Sequence, residues 1–468
     1  MILRRLYDDG LAQASYILGC EGTRDAIVID PNRDVRQYLE AADRDALRIT
    51  AVTETHIHAD FVSGARAVAA VTGAALVLSA EGGAEWQYAF ASENGARLVR
   101  DGDTIDVGSV RLTVMHTPGH TPEHISFLVT DRATASVPMG AITGDFLFAG
   151  EVGRPDLLER AAGVAGAIER GARDLFRSLA RFAALPDHLQ IWPGHGAGSA
   201  CGKSLGAMPQ STLGYERIAN WALAPQSEEA FMAAVLAGQP EPPAYFARMK
   251  RVNRDGPPAS DGSRAVERVR DAELSSVVGL GALVVDTRAS GQFADRYVPG
   301  TINIPFNKSF ATWAGWLVSY ERPVYLIAAD GDVEPALRAL RLIGLDDVAG
   351  IFAPSAIDGA FARASIPQIG VDELDVRMAR GDVTVIDVRG DAEWSEGHLP
   401  GAANIPVGKL VERLARIPRD KPVVTQCQGG TRSAIAASVL LKHGIPRVIN
   451  LQGGFSEWER DGRPVERA

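Results

Sequence analysis

Short β-branched or apolar runs recur through the first two hundred residues, each closing in a polar loop: AIVID (26–30), LRITAVTE (47–54), RLTVM (111–115), GAITG (140–144) and LQIW (189–192). Runs of this length predict strands, and the loop that follows each is where a strand presents its last side chains. GARAVAAVTG (64–73) and the alanine-rich stretch around 161–182 predict helices between them. Strands alternating with helices predict α/β layering over residues 1–250. The polar, Pro- and Gly-containing stretch RVNRDGPPASDGSRAV (251–266) breaks the pattern and predicts a linker over 251–265.

Beyond it, VVDTRASGQFADRYVPGTINIPF (284–306) matches VIDVRGDAEWSEGHLPGAANIPV (385–407) at a fixed offset, 387 − 286 = 101. Duplication of one small domain explains the match. The copies are expected over 266–366 and 367–468, with the boundary near Ser365–Val371, where IPQIGVDEL opens the second.

Composition narrows the function classes. A chain of 468 residues is longer than one core usually organises, so several domains are expected. No window approaches the apolar run of about 18 residues that spans a bilayer. The net charge of −10, with no basic stretch, argues against nucleic acid or an anionic membrane as partner and favours small substrates. Asp8, Asp9 and Gly10 interrupt the start before a signal-peptide core forms, so a cytoplasmic location is expected. Three cysteines, Cys20, Cys201 and Cys427, are too few and too far apart for a disulfide framework. Cys20, in a strand-turn, is expected to be inert.

THIHADF (55–61) sets His56, His58 and Asp60 at alternate positions after a strand. HTPGHTPEH (116–124), TGDFLF (143–148) and WPGHG (192–196) are further strand-ending loops carrying imidazole or carboxylate, the donors that hold zinc or iron. Any one of these histidines alone reads as a turn residue; the ordered set predicts a metal site.

The order HxHxD, PGHT, GD, PGH resembles the metallo-β-lactamase superfamily, which implies an αββα sandwich with a metal at one edge of its two sheets. Hydrolases of that superfamily carry a further histidine where this chain has Phe61. The chain is more similar to the persulfide dioxygenases, and the resemblance implies His56, His120 and Asp145 as ligands of one Fe(II) per chain, with zinc as the alternative. Two imidazoles and one carboxylate form the facial triad that leaves positions open on non-haem iron. His58, Asp60 and His195 are then expected around the ligands, or as ligands themselves if the metal is zinc. His116 and His124 are expected in loop hydrogen bonds. EVGRPDLL (151–158) resembles the segment that follows the carboxylate in those dioxygenases, which gives Arg154 two readings: a donor to a substrate carboxylate, or scaffold paired with Asp156 or Asp145. Cys201 follows His195 by six residues (201 − 195) and is expected near the pocket, as a sulfur relay, a substrate-gating thiol or a buried structural cysteine.

VVTQCQGGTRSAIAASVLLKHG (423–444) is a strand, a glycine-rich loop holding one Cys, and a helix. Such a loop aims backbone N–H groups at sulfur and stabilises a thiolate or persulfide anion. CxGGxRS resembles the active loop of rhodaneses, as do VIDVR, GHLPGAANIP and LQGGFSEW around it, so an α/β/α rhodanese fold is expected for both copies. The resemblance implies Cys427 as nucleophile, Arg432 closing the loop, and Gln428, Gly429, Gly430, Thr431 and Ser433 as the substrate cradle. In the earlier copy VYLIAADGDVEPAL (324–337) sets Ala328 at the Cys427 position and Val333 at that of Arg432, so no transfer is expected there.

Together these features predict oxidation of a low-molecular-weight persulfide by dioxygen to sulfite, coupled to sulfur transfer that forms or consumes thiosulfate. The rivals are a zinc thioesterase similar to glyoxalase II and a non-enzymatic sulfur carrier or sensor. The thiol carrier and association into homo-oligomers are left open.

Overall fold

The computed structural model describes residues 1–157, 166–203, 205–259 and 265–467. Residues 161–165 of the expected alanine-rich helix, and 260–264 of the expected linker, lie outside that set. The chain divides into two compact units, Met1–Ser263 with Arg341–Gly344, and Arg264–Leu340 with Leu345–Ala468.

The first unit holds two six-stranded sheets. One runs β1 (Ile2–Asp8), β2 (Gln13–Gly19), β3 (Asp25–Ile29), β4 (Arg48–Thr53), β5 (Ala75–Ser79), β6 (Arg97–Val99) in spatial order. The other runs in reverse from β12 (Ser211–Thr212) through β11 (Gln190–Pro193), β10 (Gly140–Gly144), β9 (Ile125–Asp131) and β8 (Val110–His116) to β7 (Thr104–Val107). Successive side chains of a strand point to opposite faces, and here each face has its own core. Ile27 and Ile29 of β3 join Leu112, Phe127 and Trp192 between the sheets. Ala26 and Val28 of the same strand pack outward with Tyr38 and Val68 of the helices Val35–Arg44 and Ala65–Thr72. Beyond the second sheet, Ala141 and Ile191 pack on Leu175, Leu179 and Phe182 of the helix Ala167–Phe182. Helix, sheet, sheet, helix is the expected αββα layering, and each such apolar side chain contributes roughly 1.5–3 kcal/mol by burial. The helix Phe246–Asp255 corrects one boundary, because it runs into the stretch expected as linker. Arg254 in its last turn and Gly256 just after it supply the stop that the linker reading set too early.

The second unit contains both copies, which the sequence suggested as separate domains. β13 (Leu283–Asp286), β14 (Ile302–Asn303), β15 (Val324–Ile327) and β16 (Val348–Phe352) form a parallel sheet in the order β14-β13-β15-β16. β18 (Thr384–Asp387), β19 (Ala403–Asn404), β20 (Val423–Gln426) and β21 (Val448–Leu451) repeat it as β19-β18-β20-β21, with β17 (Gln368–Ile369) added at the β21 edge. Register repeats too: Asp286 pairs with Asn303 and Ile327, as Asp387 does with Asn404 and Gln426. The copies are tied by backbone-directed bonds, the Ser438 hydroxyl accepting from Asn303 N at 2.9 Å and Lys442 Nζ donating to Gly300 O at 2.6 Å.

Candidate metal centre and sulfur loop

His56 and His58 follow β4, His120 follows β8, Asp145 follows β10 and His195 follows β11, so four strand ends meet at one rim. Asp145 Oδ2 lies 3.9 Å from His56 Nε2 and 3.6 Å from His120 Nε2. All three residues are buried, and their donor atoms fall within 4.8 Å of one another. Among the described residues His56 Nε2 and both Asp145 oxygens have no hydrogen-bond partner. Buried polar atoms are normally paired, so lone pairs converging without protons between them fit a bound cation. Burial drives the His56 pKa far down, helped by its imidazole neighbours, and burial also lowers His120 despite Asp145. Both rings are therefore neutral, the form that ligates metal.

The surrounding groups fix these ligands. His56 Nδ1 is 2.9 Å from Thr55 Oγ1, and His120 Nδ1 donates to Arg154 O at 3.0 Å, which frees each Nε2 for the pocket. His124 Nε2 accepts from the Asp145 backbone N–H at 3.1 Å, so its proton sits on Nδ1 toward Thr117 Oγ1 at 2.9 Å. Burial lowers the His124 pKa far enough to keep it neutral in that role. His116 likewise serves its loop, 2.8 Å from Pro122 O. Gly153 closes over the pocket, where a Cβ would overlap the Asp145 carbonyl oxygen.

His195 Nδ1 donates to Ala12 O at 3.0 Å and turns Nε2 to Asp60 Oδ2 at 3.3 Å and Asp145 Oδ1 at 3.5 Å. Asp60, His195 and Cys201 make a second buried group of donors. Burial, then Asp60 and Asp145, push the Cys201 thiol well above its usual pKa, so it is protonated unless a cation joins it. Its sulfur lies within 4.8 Å of donor atoms of Asp60 and His195. His58 Nε2 pairs with Asp30 at 3.1 Å, and its Nδ1 is buried without a partner among the described residues. Burial opposes its charge, but Asp30, Glu54 and Asp60 outweigh that and raise its pKa to about 9. Phe61 fills the remaining space, its ring 4.4 Å from that of His58.

Arg154 lies beside the pocket. It is fully buried, makes two 2.7 Å bonds to Asp156 and gives Nη1 to Ala200 O at 3.3 Å. Its guanidinium is thus held by Asp156 and by the loop that carries Cys201, and its carbonyl accepts from His120 Nδ1, the contacts of the scaffold reading. Three supports had no motif. Asp30 accepts from Thr55 N and Thr55 Oγ1. Glu123 accepts from Ile57 N, and Asn253 donates to His58 O and Phe61 O while accepting from Ser63 N. Asp30 closes an apolar run just as the ligands do, a signal that could have marked it.

In the second unit, Cys427 follows β20 and Gly430, at φ +100°, turns the loop into the helix Thr431–Lys442. Gly430 N donates to Cys427 Sγ at 3.1 Å and Ser433 Oγ lies 3.6 Å away. Arg432 forms two bonds to Glu393, at 2.6 and 2.7 Å, which is how it closes the loop. Gly429 and Thr431 shape the turn. Gln428 is engaged elsewhere: its Oε1 accepts from Arg389 at 3.1 Å and its Nε2 donates to Ser456 at 2.9 Å. A Cβ at Gly454 would overlap Cys427 O, so glycine there lets a second loop clasp the first. Ala328 is buried at the corresponding end of β15.

Comparison with known proteins agrees with this architecture. Residues 8–195 match the model of the metallo-beta-lactamase superfamily, and residues 370–461 match that of the rhodanese-like domain. The chain belongs to the metallo-β-lactamase superfamily and carries a C-terminal rhodanese-like domain. A metallo-beta-lactamase structure from Staphylococcus aureus is 41% identical, covering 76% of this chain and 99% of that one with a TM-score of 0.69. The mitochondrial persulfide dioxygenase ETHE1 of Bos taurus is 28% identical over 42% of this chain and 68% of its own length. A sulfurtransferase of Allochromatium vinosum is 37% identical over 21% of this chain and 94% of its own length. Among the described residues no helix is long and apolar enough to cross a membrane.

Proposed function

We propose that the chain is a non-haem iron persulfide dioxygenase joined to a sulfurtransferase. The observation that carries this reading is the convergence of His56 Nε2, His120 Nε2 and Asp145 Oδ2, with His56 Nε2 and both Asp145 oxygens unpartnered among the described residues. Iron held by two imidazoles and one carboxylate supplies a centre at which a sulfur anion and dioxygen react side by side. The net reaction takes RSSH, O2 and water to RSH, sulfite and two protons. Thr55 and the Arg154 carbonyl set the imidazole tautomers, and His124 holds the Asp145 backbone, so the donors are preorganised. Cys427, with Gly430 N–H on its sulfur, exchanges a sulfane sulfur with sulfite: Cys427 persulfide and sulfite on one side, Cys427 thiolate and thiosulfate on the other. The similarity of its two parts to a persulfide dioxygenase and to a sulfurtransferase supports the pairing of these activities.

One observation favours the rival zinc thioesterase. Asp145 turns Oδ2 to His56 and His120 but Oδ1 to His195, and Asp60 and Cys201 complete a second donor group there. Two zinc ions per chain would suit metal-activated hydrolysis. Anaerobic purification with iron, metal analysis, and oxygen uptake against a panel of persulfides separate the readings. One iron per chain and persulfide-dependent uptake are expected; a dizinc protein that consumes no oxygen would overturn the proposal.

A further inference from the structure

In the second unit a cleft of about 540 Å³ is lined by Arg288, Gln292, Asn307 and Asp332 of the middle copy and by Thr431 of the Cys427 loop. The matched registers place Ala328 at Cys427, Ala329 at Gln428 and Val333 at Arg432, while the offset of 101 places Gln292 at Glu393. In the C-terminal copy Arg389 is braced by Asp387, and its Nη1 donates to Gln428 Oε1 at 3.1 Å. Arg288 is braced by Asp286 in the same way, at 2.7 Å. Ala329, however, offers no side-chain acceptor, and Arg288 Nη1 has no partner among the described residues. The Arg432–Glu393 ion pair has lost both halves together, to Val333 and Gln292. The middle copy has thus lost the side chains that fill and close the site and kept its walls.

Resting on the sulfurtransferase reading above, we infer that this cleft docks the amino-acid end of a low-molecular-weight thiol that exchanges sulfur at Cys427. Arg288 presents a planar donor that suits a carboxylate. Asp332, whose side chain has no partner among the described residues, presents the opposite charge on the same lining. A carboxylate alone would be repelled by Asp332 and an amine alone by Arg288; a zwitterion satisfies both. The amides of Gln292 and Asn307 suit peptide groups, and about 540 Å³ is the size of a small-molecule site, larger than an inorganic sulfur anion requires. Thr431 lies four residues from Cys427 (431 − 427), so an occupant reaches the reactive loop.

The test measures binding of reduced glutathione, 3-mercaptopropionate and sodium thiosulfate to the full chain by calorimetry. Ala329→Gln returns the amide that occupies the guanidinium in the other copy, at an exposed position that leaves the buried Asp286 pair intact. It and Asp332→Asn should each weaken glutathione binding about tenfold or more, a shift well inside the range read by titration. 3-Mercaptopropionate, which lacks the amine, should bind more weakly and should gain affinity from Asp332→Asn, which removes the charge that repels its carboxylate. In turnover, KM for the thiol should rise while KM for thiosulfate holds. Glutathione binding unchanged by Ala329→Gln overturns the inference, as does a cleft that takes thiosulfate alone. Variant-sensitive binding without any transfer at Cys427 would sink the sulfurtransferase reading and support the cleft assignment.

Discussion

Under the proposed function, the candidate metal pocket and the sulfur loop solve the same problem, holding an anionic sulfur species among preorganised donors, with opposite uses of the chain. The loop is the more local of the two: sulfur, amide donor, hydroxyl and guanidinium all come from 427–433, braced from outside by Glu393, Arg389 and the 454–456 segment. The pocket draws on residues 30, 55–60, 120–124, 145, 154, 195–201 and 253. A local site tolerates change elsewhere, whereas a dispersed one is exposed to it. Mutations distant in sequence should therefore damage the pocket far more than the loop.

The strongest break is to remove each chemistry alone. Asp145→Ala should abolish iron retention and oxygen uptake, read by metal analysis and an oxygen electrode, while thiosulfate-dependent transfer persists. Cys427→Ser should do the converse, abolishing transfer with uptake intact; loss of both together would show the sites to be interdependent. Arg154→Ala comes next. Deleting one partner of a buried ion pair costs about 3–5 kcal/mol, and denaturant unfolding of the first unit should show it. If Arg154→Ala instead raised only KM for persulfide, the substrate-binding reading would return. Asn253→Ala leaves buried carbonyls of the HxHxD loop unpaired at about 1–3 kcal/mol each, so Tm of the first unit and iron content should fall together. The smallest effect is Arg432→Lys, which keeps charge but loses the fork on Glu393 and should slow transfer by on the order of tenfold, without touching oxygen uptake.

The same contrast governs what sequence reasoning could reach. Cys427, Gly430 and Ser433 are legible because their contacts span three to six residues within one loop, whereas Arg432 is legible only as a motif residue, its partner Glu393 lying 39 residues away. His56, His120 and Asp145 were legible as motif residues at strand ends. The residues that aim them were not: Asn253 sits on a helix in a stretch that reads as a linker, and nothing local marks it as the partner of His58 O. Arg154 was seen, but its choice between substrate and Asp156 depends on burial, which only the packed loop decides. The layering of the first unit followed from its strand and helix periods, whereas the merging of the two copies into one unit depends on contacts such as Ser438 with Asn303 that leave no periodic trace.

The paired replacements in the middle copy bear on its history. Restoring the C-terminal arrangement there requires Ala328→Cys, Ala329→Gln, Val333→Arg and Gln292→Glu. A new cysteine alone would lack the closing guanidinium, and a new arginine alone would lack the carboxylate that holds it. No single replacement in the middle copy therefore reproduces the C-terminal arrangement.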